Sequence, residues 1–287
     1  MSIPRAAAPP PVAVTGATGG LGGRVARILA GTGVAQRLLV RDPSRAPRVP
    51  GATTAVATFG DRAAVRQALT GVPTVLMVSA SETPDRLDQH RAFVDAAVDA
   101  GVRHLVYVSF LGAAPDATFT LARDHWATEQ HVRASGLSAT FLRDNLYADF
   151  LPALVGEDGV IRGPAGDGRV SAVARDDVAE VAAVVLRDPG AHVGRTHDLT
   201  GPAALTLAEV ADTLTAATGR AVTYHAETVQ EAYASRAATG APDWQVDAWV
   251  STYTAIAAGE MAAVSTAVAD VTGRPPRSPA DLLRDRP

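Results

Sequence analysis

The sequence predicts an α/β fold: a doubly wound parallel sheet carrying a small, mainly helical C-terminal cap. Three observations predict it. Strand-like and helix-like segments alternate through the first two-thirds of the chain, as βαβ units with right-handed crossovers do. Gly16, Gly19 and Gly22 stand between the first such strand and the first helix. Gly71, Gly101 and Gly136 each fall just past a helical stretch, where a left-handed cap is expected.

Taken in order, short apolar runs read as strands at 12–15, 37–40, 53–57, 74–78, 105–109 and 139–142. Helical patterns separate them at 22–31, 61–69, 84–100 and 124–135. A further helix at 176–187 and a strand at 196–200 complete the alternation. Residues 151–169 are rich in Gly and Pro, and from Thr206 the pattern turns mostly helical. Thr206-Leu207-Ala208-Glu209 reads as a capping box, and 222–225 as a short strand. The organisation expected is a flexible tail at 1–11 and a dinucleotide-binding Rossmann domain at 12–150 and 170–200. A substrate-binding cap at 151–169 and 201–287 lies over the carboxyl edge of the sheet, where such sheets bind ligands.

The glycine turn gives the first functional expectation. A strand passes to a helix in this way when the turn must hold a dinucleotide pyrophosphate. Gly16 permits the tight turn, Gly19 lets the backbone approach the phosphates, and Gly22 lets the helix pack on the sheet. Thr18, Gly20 and Leu21 complete the stretch, whose N–H groups and helix dipole face the phosphate charge. An ordinary glycine-rich βα turn is the plain alternative.

Composition narrows the chemistry. The chain has 287 residues, 47% of them hydrophobic and 20% charged, which is globular. A net charge of −4 without a basic run argues against a nucleic-acid surface. The absence of cysteine excludes disulfides, thiolate catalysis and zinc–thiolate sites. The seven histidines show no metal-ligand spacing, so no metal is expected. All 26 basic residues are arginine, so no Schiff base and no lysine-tuned tyrosine can form. No apolar stretch reaches the roughly 18–20 residues of a membrane span, and the opening segment is too short and proline-rich for a signal peptide. A soluble cytoplasmic monomer or homodimer is expected.

The end of the second strand speaks to the nucleotide. An acid there bonds the ribose hydroxyls of NAD; here Val40 is followed by Arg41-Asp42-Pro43-Ser44-Arg45. Arg41 and Arg45 suit a 2′-phosphate, and so NADP(H), through charge-assisted bonds. In the alternative, both are surface charges and Asp42 serves the ribose. Asp61 lines the adenine, caps the next helix, or does both. Ser79, Ala80 and Ser81 end the fourth strand and are small enough to admit the cofactor ribose. Ser109 ends the fifth strand and offers a hydroxyl to orient a substrate carbonyl. His125 and Glu129 are four apart on one helix face, making His125 a candidate general acid whose imidazolium Glu129 would favour. A structural His–Glu pair is the plainer reading.

Those residues, with Phe141-Leu142-Arg143-Asp144-Asn145-Leu146-Tyr147 and Ala165-Gly166-Asp167-Gly168, resemble the NmrA-like atypical short-chain dehydrogenases. Within them the chain resembles QorB-type NADPH:quinone oxidoreductases and triphenylmethane dye reductases, from about Val12 to Leu283. The resemblance implies NADPH along the sheet edge and direct hydride transfer to a quinone or similar conjugated acceptor. It implies that Arg41 grips the 2′-phosphate and that Asn145 sits near the nicotinamide. Phe110, Tyr147 and Trp244 or Trp249 would supply flat walls, with Tyr147 close to the chemistry. Lysines that some relatives use have no counterpart here beyond Arg45. Two other functions fit the same resemblance: a redox-sensing regulator that binds NADP(H) without turnover, and a reductase of one biosynthetic intermediate.

Overall fold

A computed structural model describes residues 12–284. The tail expected at 1–11 lies outside the described residues. The first half of the chain alternates as expected: β1 (Val12–Val14), α1 (Gly20–Gly31), β2 (Gln36–Val40), β3 (Ala52–Val56), α2 (Arg62–Leu69), β4 (Thr74–Val78), α3 (Arg86–Asp99), β5 (His104–Phe110), α4 (Thr120–Ala134) and β6 (Ser138–Asp144). Then follow β7 (Val160–Gly163), β8 (Arg169–Val170), α5 (Arg175–Arg187), β9 (Thr196–Asp198), β10 (Leu205–Thr206), α6 (Leu207–Thr218) and β11 (Thr223–Ala226). Four helices close the chain: α7 (Val229–Ala237), α8 (Asp243–Ala257), α9 (Ala267–Thr272) and α10 (Pro279–Arg284).

Seven strands form one parallel sheet in the order β3-β2-β1-β4-β5-β6-β9. The order reverses between β1 and β4, which opens a crevice at their carboxyl ends. Successive strand residues point to opposite faces, and the core divides accordingly. Val12, Val14, Leu38, Leu76 and Val106 pack under α1 and α5. Ala13, Leu39, Met77, Leu105 and Tyr107 pack under α2, α3 and α4. Both faces are covered, as a parallel sheet requires.

The helix starts depart from expectation where tertiary contacts intervene. Helix α4 begins at Thr120, four residues before the expected Asp124, because Thr120 N–H donates to Ser251 Oγ of α8 at 3.2 Å. Gly71, Gly101 and Gly136 take positive φ of 78°, 77° and 79°. Thr206 and Glu209 form the expected capping box.

The cap contains more strand than expected. Residues 160–163 pair in parallel with 223–226, and β8 pairs with β10. The first pairing joins segments about sixty residues apart, which local periodicity does not reveal. Leu151, Ile161, Val170, Leu207, Leu214, Ile256 and Met261 form the cap core, against which Phe110 and Phe119 pack from the sheet side. Among the described residues no helix is long and apolar enough to cross a membrane.

Candidate functional site

The crevice begins at the glycine turn. Gly16 has φ +63°, and a Cβ there would touch the Val78 side chain at 3.2 Å, so the turn lies directly against the end of β4. Thr15 Oγ1 reinforces this by accepting from Val78 N–H at 2.8 Å. A Cβ on Gly22 would lie 2.5 Å from Gly16 C and O and from Thr15 O, so only glycine allows α1 to start this close. Gly19 is the N-cap of α1, and no side chain bonds to the first helical N–H groups. A helix start with uncapped donors and an exposed Thr18-Gly19-Gly20 rim is suited to an anion. Leu21 contributes backbone only, since its side chain is in the core.

Arg175 completes this corner, and sequence reasoning missed it. Its guanidinium lies beside Gly20, where a Cβ would meet it at 3.5–3.7 Å, and over the Tyr147 ring at 4.6 Å. It makes no ion pair among the described residues. Arg24, by contrast, is held by Asp149 at 3.1 Å and Asp176 at 2.6 Å. The cradle of small residues, the free helix start and a guanidinium with no ion pair among the described residues fit a dinucleotide pyrophosphate.

At the end of β2, Arg41 is exposed and makes no hydrogen bond or ion pair among the described residues. Asp42 folds back into its own turn, where Oδ1 accepts from Ser44 N–H at 2.9 Å and Ser44 Oγ–H at 2.7 Å. Those bonds hold the carboxyl below its usual range. Arg45 is exposed in the same turn. Asp61 caps α2, accepting from Ala64 N–H at 3.0 Å.

Between sheet and cap lies a cleft of about 1140 Å³. Ser79, Ala80 and Ser81 line its β4 side, and Phe110, His125, Asp144, Asn145 and Tyr147 its floor. Phe119, Phe150, Trp249 and Tyr253 add flat apolar surface, whereas Trp244 does not reach it. Asn145 is buried, and its Nδ2 donates to Ser171 Oγ at 2.9 Å and Met261 O at 3.0 Å, tying the sheet to the cap.

Beneath the floor runs a buried polar chain. Ala80 N–H donates to His90 Nε2 at 2.9 Å, leaving His90 Nδ1–H for Thr128 Oγ1 at 2.9 Å. Arg86 Nη2 donates to His125 Nε2 at 2.9 Å, leaving His125 Nδ1–H for Tyr107 OH at 2.9 Å. Both imidazoles are therefore neutral. Burial, then the Arg86 charge, pushes His90 down to about 3 and His125 well below its usual value. Arg86 is itself buried, with Ala80 O accepting at 3.2 Å and Asp124 pairing at 3.3 Å.

Two expectations are corrected here. Glu129 does not pair with His125; it takes Ser109 Oγ–H at 2.7 Å and grips Arg143 through two bonds of 2.8 Å. The imidazolium expected at His125 therefore has no counter-ion. Ser109, expected to offer its hydroxyl toward the cleft, is instead fully buried on the α4 side of the sheet and is not among the residues that line the cleft. Its parity with Tyr107 on β5 explains this: both point under α4, and Phe110 points to the cap.

The NmrA-like family model matches residues 10–241. Quinone oxidoreductase 2 of Escherichia coli (strain K12) is 37% identical over 244 residues, covering 82% of this chain and 84% of that protein. NAD(P)H azoreductase of Xenophilus azovorans is 34% identical over 278 residues, covering 95% and 96%. The crystal structure of the Escherichia coli NADPH-dependent quinone oxidoreductase complexed with NADPH superposes with a TM-score of 0.85 at 33% identity, covering 95% of this chain and 98% of that one.

Proposed function

The chain belongs to the NmrA-like family, and we propose that it is an NADPH-dependent oxidoreductase passing a hydride directly to a quinone or a similarly flat, conjugated acceptor. The observation that carries this reading is the cleft: a large, mainly apolar cleft with aromatic walls, lined at one corner by Arg175, which lies beside Gly20 of the glycine turn. The similarity to quinone and azo reductases supports the same class of acceptor.

In this reading the α1 start and Arg175 hold the pyrophosphate, and Arg41 with Arg45 hold the 2′-phosphate. Ser79, Ala80 and Ser81 flank the ribose. Asp61 acts chiefly through its cap on α2, which shapes the adenine side. NADPH bound there supplies the hydride. The chain's own contribution is placement: Phe110 and Tyr147 wall the acceptor, and the Asn145 bonds keep the floor attached to the cap. His125 is a positioning residue, carrying Arg86 and Tyr107 at fixed orientation. A quinone is already electrophilic, so ring placement at contact distance supplies much of the rate.

The test is NADPH oxidation by the purified protein across quinones, azo and triphenylmethane dyes, and enones. Turnover of at least the quinones is expected. Tight NADPH binding with no turnover of any acceptor would overturn the reading in favour of a redox sensor. Activity confined to one enone class would favour a reductase of a biosynthetic intermediate.

A further inference from the structure

Four acidic side chains are buried among the described residues: Glu129, Asp144, Asp177 and Glu227. Three are held by arginine. Glu129 has Arg143 and Arg133, Asp177 has Arg277, and Glu227 has Arg236 at 2.9 Å. Asp144 alone has no ion pair. It is 5% exposed, at the carboxyl end of β6, and lines the cleft. Its one side-chain partner is Tyr147, whose hydroxyl donates to Oδ2; Oδ1 accepts no bond from the described side chains. A buried carboxylate without a counter-ion is costly, whereas a buried carboxylic acid is not.

We propose that Asp144 is the proton donor of the reaction, its carboxyl group delivering a proton to the acceptor oxygen from the floor of the cleft. This rests on the reductase reading above. The acceptor takes two electrons with the hydride from NADPH. Its oxygen then takes the proton as the Asp144 O–H bond breaks and a new O–H bond forms. Asp144 is left as a carboxylate, which Tyr147 O–H supports, and regains its proton from solvent through the cleft.

The surroundings suit this cycle. Burial is the main influence and pushes Asp144 up to about 7, opposed by the Tyr147 hydrogen bond and by Arg175 and Arg86 at longer range. The groups facing it are Arg86 at the start of α3, Tyr107 on β5, Arg175 at the start of α5, and Tyr147 beside it; Asp149 stands behind Tyr147. An acid of this strength is half-protonated near neutrality, where general acids work best. The neighbouring candidates lack this match. His125 has its only N–H bonded to Tyr107, and burial with the Asp144 charge keeps Tyr147 well above its usual value.

The experiment is the pH dependence of kcat with NADPH and 1,4-naphthoquinone for the wild type, Asp144→Asn and Tyr147→Phe. It is paired with infrared titration of the nucleotide-free protein. Wild-type kcat is expected to fall as pH rises through about 7. Asp144→Asn, which preserves shape, is expected to lose roughly a hundred-fold and to show no such fall. Tyr147→Phe removes a bond that favours the carboxylate, so its fall moves to higher pH. A protonated-carboxyl band below neutrality, absent in Asp144→Asn, supports the proposal without turnover. An active wild type whose rate and pH profile Asp144→Asn shares overturns it, as does absence of the band. A wild type inactive toward every acceptor overturns the reductase reading, and this proposal with it.

Discussion

Gly22→Ala is expected to abolish useful NADPH binding while leaving a folded, less stable protein. The added methyl would lie 2.5 Å from backbone atoms of Gly16 and Thr15, which cannot rotate away as a side chain can. The start of α1 must retreat from the turn, carrying the uncapped N–H groups of Gly20 and Leu21 with it. Overpacking of this kind costs about 1–3 kcal/mol of stability. A displacement of about an ångström in a pre-organised site costs on the order of a hundred-fold. Titration of NADPH by calorimetry, with thermal unfolding alongside, reads both effects. Gly31→Ala is the control: nothing lies within 4 Å of a Cβ there, and the helix should be as stable or slightly more so. Undiminished NADPH binding in Gly22→Ala would remove the glycine turn from the site.

Arg41→Ala is expected to separate the two nicotinamide nucleotides. The guanidinium is exposed and has no partner among the described residues, so truncation breaks nothing within the fold. A charge-assisted hydrogen bond contributes about 1.5–3 kcal/mol, so NADPH affinity should fall by roughly ten- to a hundred-fold. NADH lacks the 2′-phosphate and should bind the variant about as well as the wild type. Binding constants for both nucleotides on both proteins check this. Equal losses for NADPH and NADH would refute the phosphate role and return attention to Asp42.

Much of the fold is legible because its signals are local. Apolar runs of sheet length alternate with helical stretches, and a glycine follows several helices at positive φ, as at Gly71 and Gly136. Gly22 is legible for the same reason, since its neighbours Gly16 and Thr15 are close in sequence. The capping box at Thr206 and Glu209 is a four-residue pattern and forms as read. The exposed position of Arg41 at the end of β2 follows from the strand it ends.

The site's electrostatics were not legible, because they are made by residues distant in the chain. Arg175 reaches the glycine turn from the start of α5, and Arg86 reaches His125 across 39 positions. The spacing of His125 and Glu129 places both on the buried face of α4, but Arg143 and Ser109 on neighbouring strands claim the carboxylate. What distinguishes Asp144 from the other buried acids is that no described arginine forms an ion pair with it, which sequence patterns do not display. Ser109 could have been placed by strand parity, since it shares a face with Leu105 and Tyr107 of the core.

In the proposed reaction NADPH lies beside a flat acceptor and passes its hydride to it directly. Single-turnover mixing with excess 1,4-naphthoquinone, using NADPH with protium or deuterium at the transferred position, tests it most directly. Loss of the nicotinamide absorbance in the first turnover, slowed several-fold by deuterium, is the expected result. Persistence of that absorbance, or identical rates for the two isotopes, would contradict it.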